Sequence, residues 1–276
     1  MQIKFTKMHG AGNDFVVIDL ISQKGQLQPH HIRHLANRRT GVGCDQVLVV
    51  EPPTNSEVDF RYRIYNADGE EVEQCGNGAR CFARFVREKR LTHKHSISVE
   101  TAGGRLQLEI RDKDQVQVNM GPPIFEPKEI PYTANLQAPY YQLDLQHESL
   151  QIGAISMGNP HAIHRVDDVA TAAVESLGPQ IVAHPDFPQR TNAGFMHIVS
   201  STEIALRVYE RGVGETLACG TGACAAVVYG INRGWLEETV TVNLPGGKLV
   251  ISWAGEGHPV MMVGPTAIVF EGSILI

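Results

Sequence analysis

Ser96-Ile97-Ser98-Val99 alternates polar and apolar side chains, Gly103-Gly104 breaks the run, and the alternation resumes from Leu106 to Ile110. A period of two on both sides of a glycine pair predicts a β-hairpin. Residues 239–253 repeat the pattern around Gly246-Gly247 and predict a second one. Elsewhere the period lengthens. Residues 79–87 put Ala79, Phe82, Ala83 and Val86 on one face and Arg80, Arg84 and Arg87 on another, which predicts an amphipathic helix. Residues 223–231 are apolar all round, so a helix there must be enclosed, most simply by a curved sheet. Residues 29–38, with Pro29 in the first turn, and residues 169–177 predict two more helices. Four prolines, Pro122, Pro123, Pro127 and Pro131, predict that residues 121–131 form the crossing between two lobes.

These elements recur at a fixed interval. Cys75-Gly76-Asn77-Gly78-Ala79 and Cys219-Gly220-Thr221-Gly222-Ala223 lie 144 positions apart, as do Arg63 and Arg207, Ile64 and Val208, and Tyr65 and Tyr209. At an offset of 143, residues 99–106 match residues 242–249, and Gly121-Pro122 matches Gly264-Pro265. The chain reads as a duplication. It predicts an α+β fold of two homologous, pseudo-twofold lobes, each a mostly antiparallel sheet or barrel around a central helix, with the active site in the cleft between them. The boundaries expected are 1–121 for the lobe carrying Cys75 and 122–264 for the lobe carrying Cys219. Residues 265–276 are expected to return to the first lobe as a strand.

Composition narrows the function. The 276 residues carry 42% apolar and 20% charged side chains with a net charge of −6, ordinary for a soluble protein and a poor match to nucleic-acid or anionic-membrane binding. The opening MQIKFTKMHG lacks the apolar run of a signal peptide, and no window approaches the roughly 18 apolar residues of a membrane span. The expected location is the cytoplasm, where five cysteines without a dense framework read as free thiols.

A cysteine in the first turn of a helix is chemically distinctive. Orphan backbone N–H groups and the positive end of the helix favour thiolate, and the same donors can hold a carboxylate. Two such turns facing one cleft supply a thiolate base, a thiol acid and donors for the charge that develops when an α-proton leaves. That is racemase or epimerase geometry. Cys44, Cys81 and Cys224 have no duplicated partner and read as structural.

The long motifs MHGAGNDF (residues 8–15), GVGCDQ (41–46), NADG (66–69), CGNGARC (75–81), MGNPH (157–161), YERGVGET (209–216) and ACGTGAC (218–224) occur in one order along the chain. In these the sequence resembles the diaminopimelate epimerases. The resemblance implies a cofactor-independent and metal-free isomerase acting on LL- and meso-2,6-diaminopimelate, on the lysine and peptidoglycan route, as a homodimer. It implies that Cys75 and Cys219 are the acid/base pair. It places Asn13, Gln46, Asn66, Asn159 and Asn192 on the substrate's two amino-acid ends. It places Glu210 and Arg211 on the ammonium and carboxylate of the non-reacting centre. Gly76, Asn77, Gly220 and Thr221 would supply backbone donors at the reacting carboxylate, and His161 with Glu210 would tune the thiols. Cys44, beside Gln46, departs from the family pattern and would add a thiol near the cleft.

Two other readings compete. A proline or hydroxyproline racemase would use the same kind of scaffold, but Glu210-Arg211 and the asparagines imply a second amino-acid end, which proline lacks. A zinc module would need closer cysteine spacings than the six of Cys75/Cys81 and the five of Cys219/Cys224. The His30, His31, His34 cluster reads as a solvated helix face.

Overall fold

The computed structural model describes residues 1–72, 76–112 and 114–276. Cys75, the first of the two expected catalytic thiols, lies outside the described residues. The chain forms two compact units, Met1–Asn119 with Val263–Ile276, and Met120–Met262.

The first unit begins with strands β1 (Gln2–Gly10) and β2 (Asn13–Asp19), then helix α1 (Pro29–Ala36). Strands β3 (Gln46–Glu51), β4 (Phe60–Asn66) and β5 (Glu71–Val72) precede helix α2 (Gly76–Glu88). Strands β6 (Ser96–Thr101), β7 (Gly104–Ile110) and β8 (Gln115–Asn119) complete this stretch. Most neighbours are antiparallel. The exceptions are β2–β3, joined through α1, and β4–β6, joined through α2. A crossover helix is what a parallel pairing demands, because a tight turn cannot reverse the direction of the chain twice. The hairpin β6–β7 turns at the predicted glycines, with Thr101 opposite Gly104 in the sheet and Gly104 at φ 115°.

The second unit runs β9 (Tyr141–Asp144), β10 (Ser149–Ser156), β11 (Pro160–Arg165), α3 (Val174–Val182), β12 (Asn192–Ser200), β13 (Glu203–Glu210) and β14 (Gly214–Thr216). It continues with α4 (Gly220–Asn232), β15 (Thr239–Leu244) and β16 (Gly247–Ser252). Its parallel pairs are β11–β12 around α3 and β13–β15 around α4. The connectivity of the first unit is thus repeated. The chain returns to the first unit within β17 (Met261–Pro265), and β18 (Ala267–Leu275) pairs antiparallel with β1.

Each unit wraps its sheet about one helix. In α4 every residue from Ala223 to Tyr229 is buried, as an all-apolar helix requires. Full burial of Val227 and Val228 contributes about 1.5–3 kcal/mol each. Cys81 and Cys224 lie wholly inside the two central helices. Cys44 is buried with Ile32, Leu35, Val47 and Val49, away from solvent, and burial pushes its thiol up to about 12.

Four expectations need correction. The face of α2 expected to be polar is partly core, since Arg80 is 0% exposed while Arg84 and Arg87 keep partial exposure. Helix α1 stops at Ala36 because the Asn37 side-chain oxygen takes the N–H groups of Arg39 and Thr40 at 2.8 and 2.9 Å. Helix α3 starts five residues later than expected, since the Asp168 carboxylate accepts the Ala170 N–H at 2.9 Å and holds that stretch in a turn. It then runs through Gly178, where a Cβ would come within 2.6 Å of the Tyr209 ring, so the missing side chain lets the helix lie on β13. The proline-rich stretch 121–131 sits within the second unit, where Ile124 and Ser156 exchange both backbone hydrogen bonds at 2.9 Å.

Candidate active site

The repeat is most literal on β4 and β13. Arg63 grips Glu71 through Nε and Nη2 at 2.8 and 2.7 Å, and Arg207 grips Glu215 through the same atoms at 2.6 and 2.8 Å. These bidentate bridges staple β5 and β14 to their neighbours, just ahead of the two helix starts. Aligning the units on them sets Asn66 against Glu210 and Asn77 against Thr221. On β2 and β11, Phe15 faces Gln46 and His161 faces Asn192, which makes Phe15 and His161 counterparts. Asn13 and Asn159 each follow a glycine at positive φ, Gly12 at 85° and Gly158 at 88°.

In the second unit Cys219 caps α4 in extended backbone conformation, and its carbonyl accepts the Ala223 N–H at 3.0 Å to open the helix. The thiol is 4% exposed. Burial and then the Glu210 carboxylate push it well above its ordinary value, while the Thr221 hydroxyl and the Gly222 N–H pull the other way. Glu210 ends β13 and accepts the Thr216 hydroxyl proton at 2.5 Å. Around the thiol the bonds form a chain. His161 Nε2 lies 3.0 Å from Asn159 Oδ1, Asn159 Nδ2 donates to Thr221 Oγ1 at 3.3 Å, and Thr221 Oγ1 lies 3.6 Å from the Cys219 sulfur. Because Asn159 presents its oxygen, His161 must carry its proton on Nε2. The ring is fully buried and neutral: burial, then the positive charge of Arg211, push its pKa down to about 3. Among the described residues His161 Nδ1 finds no hydrogen-bond partner. Asn192 Oδ1 accepts the backbone N–H of Arg211 at 2.8 Å, and the Arg211 guanidinium donates to the Gln189 carbonyl at 2.8 Å. Gly222 leaves room for all this, since a Cβ there would lie 3.2 Å from the Cys219 sulfur.

In the first unit Gln46 donates to Asn66 Oδ1 at 2.9 Å, and Gln46 Oε1 is buried with no partner among the described residues. Asn77 Nδ2 donates to Asn13 Oδ1 at 3.3 Å, at the start of α2 where Gly76 opens the helix. Asn13 Nδ2 donates to Asp45 Oδ2 at 2.8 Å. The structure therefore gathers Asn13 with Asn77 and Gln46 with Asn66 in one unit, and Asn159, His161, Thr221, Glu210 and Cys219 in the other, with Asn192 joined to Arg211. Sequence reasoning missed Asp45, Arg80 and Thr216. Arg80 had a signal, being the one charged side chain inside the CGNGARC motif.

Such a site can hold an amino acid by its charged ends and move a proton at a thiol. A solved PhzF-family phenazine biosynthesis protein from Bacillus anthracis superposes with a TM-score of 0.73 at 17% identity, covering 100% of both chains. A hydroxyproline epimerase from Agrobacterium vitis superposes at 0.71 and 16%, covering 99% of this chain and 92% of that one. At these identities the likeness is one of fold, and the fold is α+β with few helices. The family described as diaminopimelate epimerase matches residues 5–126 and 153–269. A diaminopimelate epimerase from Pseudomonas entomophila is 59% identical over 274 residues, and one from Pseudomonas syringae pv. tomato is 57% identical over 274, each alignment covering 99% of both chains. With the family match over most of the chain, relatives more than half identical across 99% of it and motif after motif in place, the chain belongs to the diaminopimelate epimerase family.

Proposed function

We propose that this protein is a cofactor-independent epimerase that interconverts LL- and meso-2,6-diaminopimelate, with Cys75 and Cys219 acting on opposite faces of one α-carbon. One thiolate removes the α-proton and becomes a thiol. The electron pair left on carbon delocalises into the carboxylate, and the opposing thiol delivers its proton to the other face and becomes a thiolate. Backbone N–H groups of Gly220 and Thr221, with those of Gly76 and Asn77, would hold the carboxylate as its charge grows. Asn13, Gln46, Asn66, Asn159 and Asn192 would fix the amino-acid ends, and Glu210 and Arg211 would take the distal ammonium and carboxylate. His161 and Glu210 would tune the thiol.

The observation that carries this reading is the Cys219 environment: a buried thiol at a helix start, served by a hydroxyl and an amide and faced by a carboxylate. Operation in the cytoplasm and as a homodimer belong to the same proposal. Among the described residues no helix is long and apolar enough to cross a membrane. Val269, Phe270 and Leu275 leave an exposed apolar stretch on β18 that a second copy would cover.

The test is α-hydrogen exchange in D2O, followed by NMR on LL-diaminopimelate without added cofactor, for wild type, Cys75→Ser and Cys219→Ser. Deuterium entry with meso product in wild type and its loss in both variants is expected. Absence of exchange in wild type with reduced thiols would overturn the proposal and direct attention to proline-like substrates.

A further inference from the structure

Arg80 is a fully buried cation in the first turns of α2. Its Nη2 donates to Asn77 Oδ1 at 2.8 Å, and its Nη1 reaches back to the Gly76 carbonyl at 3.5 Å. From Asn77 the bonds run outward in a single sense: Asn77 Nδ2 to Asn13 Oδ1 at 3.3 Å, then Asn13 Nδ2 to Asp45 Oδ2 at 2.8 Å. A guanidinium only donates and a carboxylate only accepts, so the two ends dictate the direction of everything between them. Reversing Asn77 would set its NH2 against Arg80. Reversing Asn13 would set its oxygen against Asp45. The anionic end is itself held, since Asp45 Oδ1 accepts Arg38 Nη2 at 2.8 Å and Asp45 Oδ2 also accepts the Asp14 N–H at 3.1 Å. Arg38 in turn clasps Asp14 through two bonds of 2.9 and 2.8 Å. In the second unit the counterpart of Arg80 is Cys224, and the chain there runs from neutral His161 to the Cys219 thiol instead.

We propose that Arg80 and Asp45 are positioning residues that lock the amide orientations of Asn77 and Asn13, so that the first unit presents one fixed donor–acceptor pattern to an amino-acid ligand. This rests on the reading of the site given above for what the ligand is, but the locking itself can be measured without one. A flipping amide would present its oxygen for half the time where the ligand needs a donor, and aligned amides between opposite charges polarise one another in the same sense. Asn13 would meet a ligand through its amide and Asn77 through its backbone N–H, while Arg80 and Asp45 act through them.

The experiment is 15N–1H spectroscopy of the full-length protein with asparagine-selective labelling, comparing wild type, Asp45→Asn and Arg80→Met, alongside kinetics with diaminopimelate. Side-chain NH2 signals of Asn13 and Asn77 in wild type are expected as slowly exchanging pairs. In Asp45→Asn, Asn13 should exchange more than about tenfold faster while Asn77 changes less, and in Arg80→Met the order should reverse. KM should rise about tenfold in each with kcat within about threefold, the pattern of lost ground-state binding. A folding defect would move stability without this residue-by-residue order. Asp45 lies near the surface, so its variant keeps the test alive if Arg80→Met does not fold. Unchanged exchange at Asn13 in a folded Asp45→Asn protein would overturn the proposal. If exchange follows the expected order but no diaminopimelate turns over in wild type, the lock stands and only the assigned substrate falls.

Discussion

Asn159 donates its side-chain N–H to the Thr221 hydroxyl at 3.3 Å, which occupies one oxygen lone pair and leaves the hydroxyl hydrogen for the Cys219 sulfur at 3.6 Å. The same oxygen keeps a second lone pair, so it can accept the S–H proton of the thiol or donate to the thiolate. One side chain serves both charge states of an acid that becomes a base.

Thr221→Val should therefore cost thiolate stability. Loss of a hydrogen bond to a charged group, about 1.5–3 kcal/mol, raises the thiol pKa by about one to two units. In the reaction direction that uses Cys219 as the base, the acidic limb of the pH–rate profile should move to higher pH by that amount, and Thr221→Ser should restore it. An unshifted limb in Thr221→Val would show that the hydroxyl does not serve the sulfur.

Glu210→Gln should move the thiol the other way. Burial keeps Cys219 protonated, and the Glu210 carboxylate adds to that effect. Removing the charge should bring thiolate absorbance near 240 nm in a Cys75→Ser background to lower pH. A titration that moves upward or stays put would refute this electrostatic assignment.

Gly222→Ala separates stability from activity. Alanine gains about 1 kcal/mol of helix propensity over glycine. Its methyl would sit 3.1 Å from Val208 Cγ2 and 3.2 Å from the Cys219 sulfur, spending that gain on displacement of the thiol. Thermal midpoint should change little while kcat falls by at least about tenfold. Full activity would mean the thiol tolerates being moved.

Acid sensitivity should centre on His161. Its folded pKa is depressed to about 3, from an ordinary value of 6.5. Between those values the unfolded chain binds a proton that the native protein refuses, so stability falls as pH drops, by at most about 1.4 kcal/mol per pH unit. His161→Phe, which installs the residue of the counterpart position Phe15, should flatten that slope in urea-unfolding midpoints measured from pH 7 to 4. Asp14 adds a separate loss at lower pH. Burial raises its carboxyl, but the hydrogen bonds from Arg38 and Lys7 outweigh burial and hold it well below the usual range, so its contribution disappears as pH falls through and below about 3.9.

Much of this was legible in the sequence because local chemistry fixed it. Gly103-Gly104 and Gly246-Gly247 demanded hairpins, the apolar run after Cys219 demanded enclosure, and the spacing of Arg63, Tyr65 and their repeats exposed the duplication. The inward orientation of Arg80 was not legible, because periodicity grouped it with Arg84 and Arg87 and only the surrounding fold buries it. Asp45 was hidden for a similar reason: its partner Asn13 is 32 residues away and meets it only through the parallel pairing of β2 and β3. The late start of α3 reflects a side-chain turn at Asp168 that competes with helix on nearly equal local terms.

Strand β1 is flanked by β2 on one side and β18 on the other, and β18 is drawn from residues 267–275. On a ribosome, the second unit has all its strands before this last one is made. The first unit, although translated earlier, waits with an open sheet edge until residues 267–275 leave the exit tunnel. Synthesis order and completion order are therefore inverted in this protein, and the interval between them is when β1 is exposed to pairing with the wrong strand.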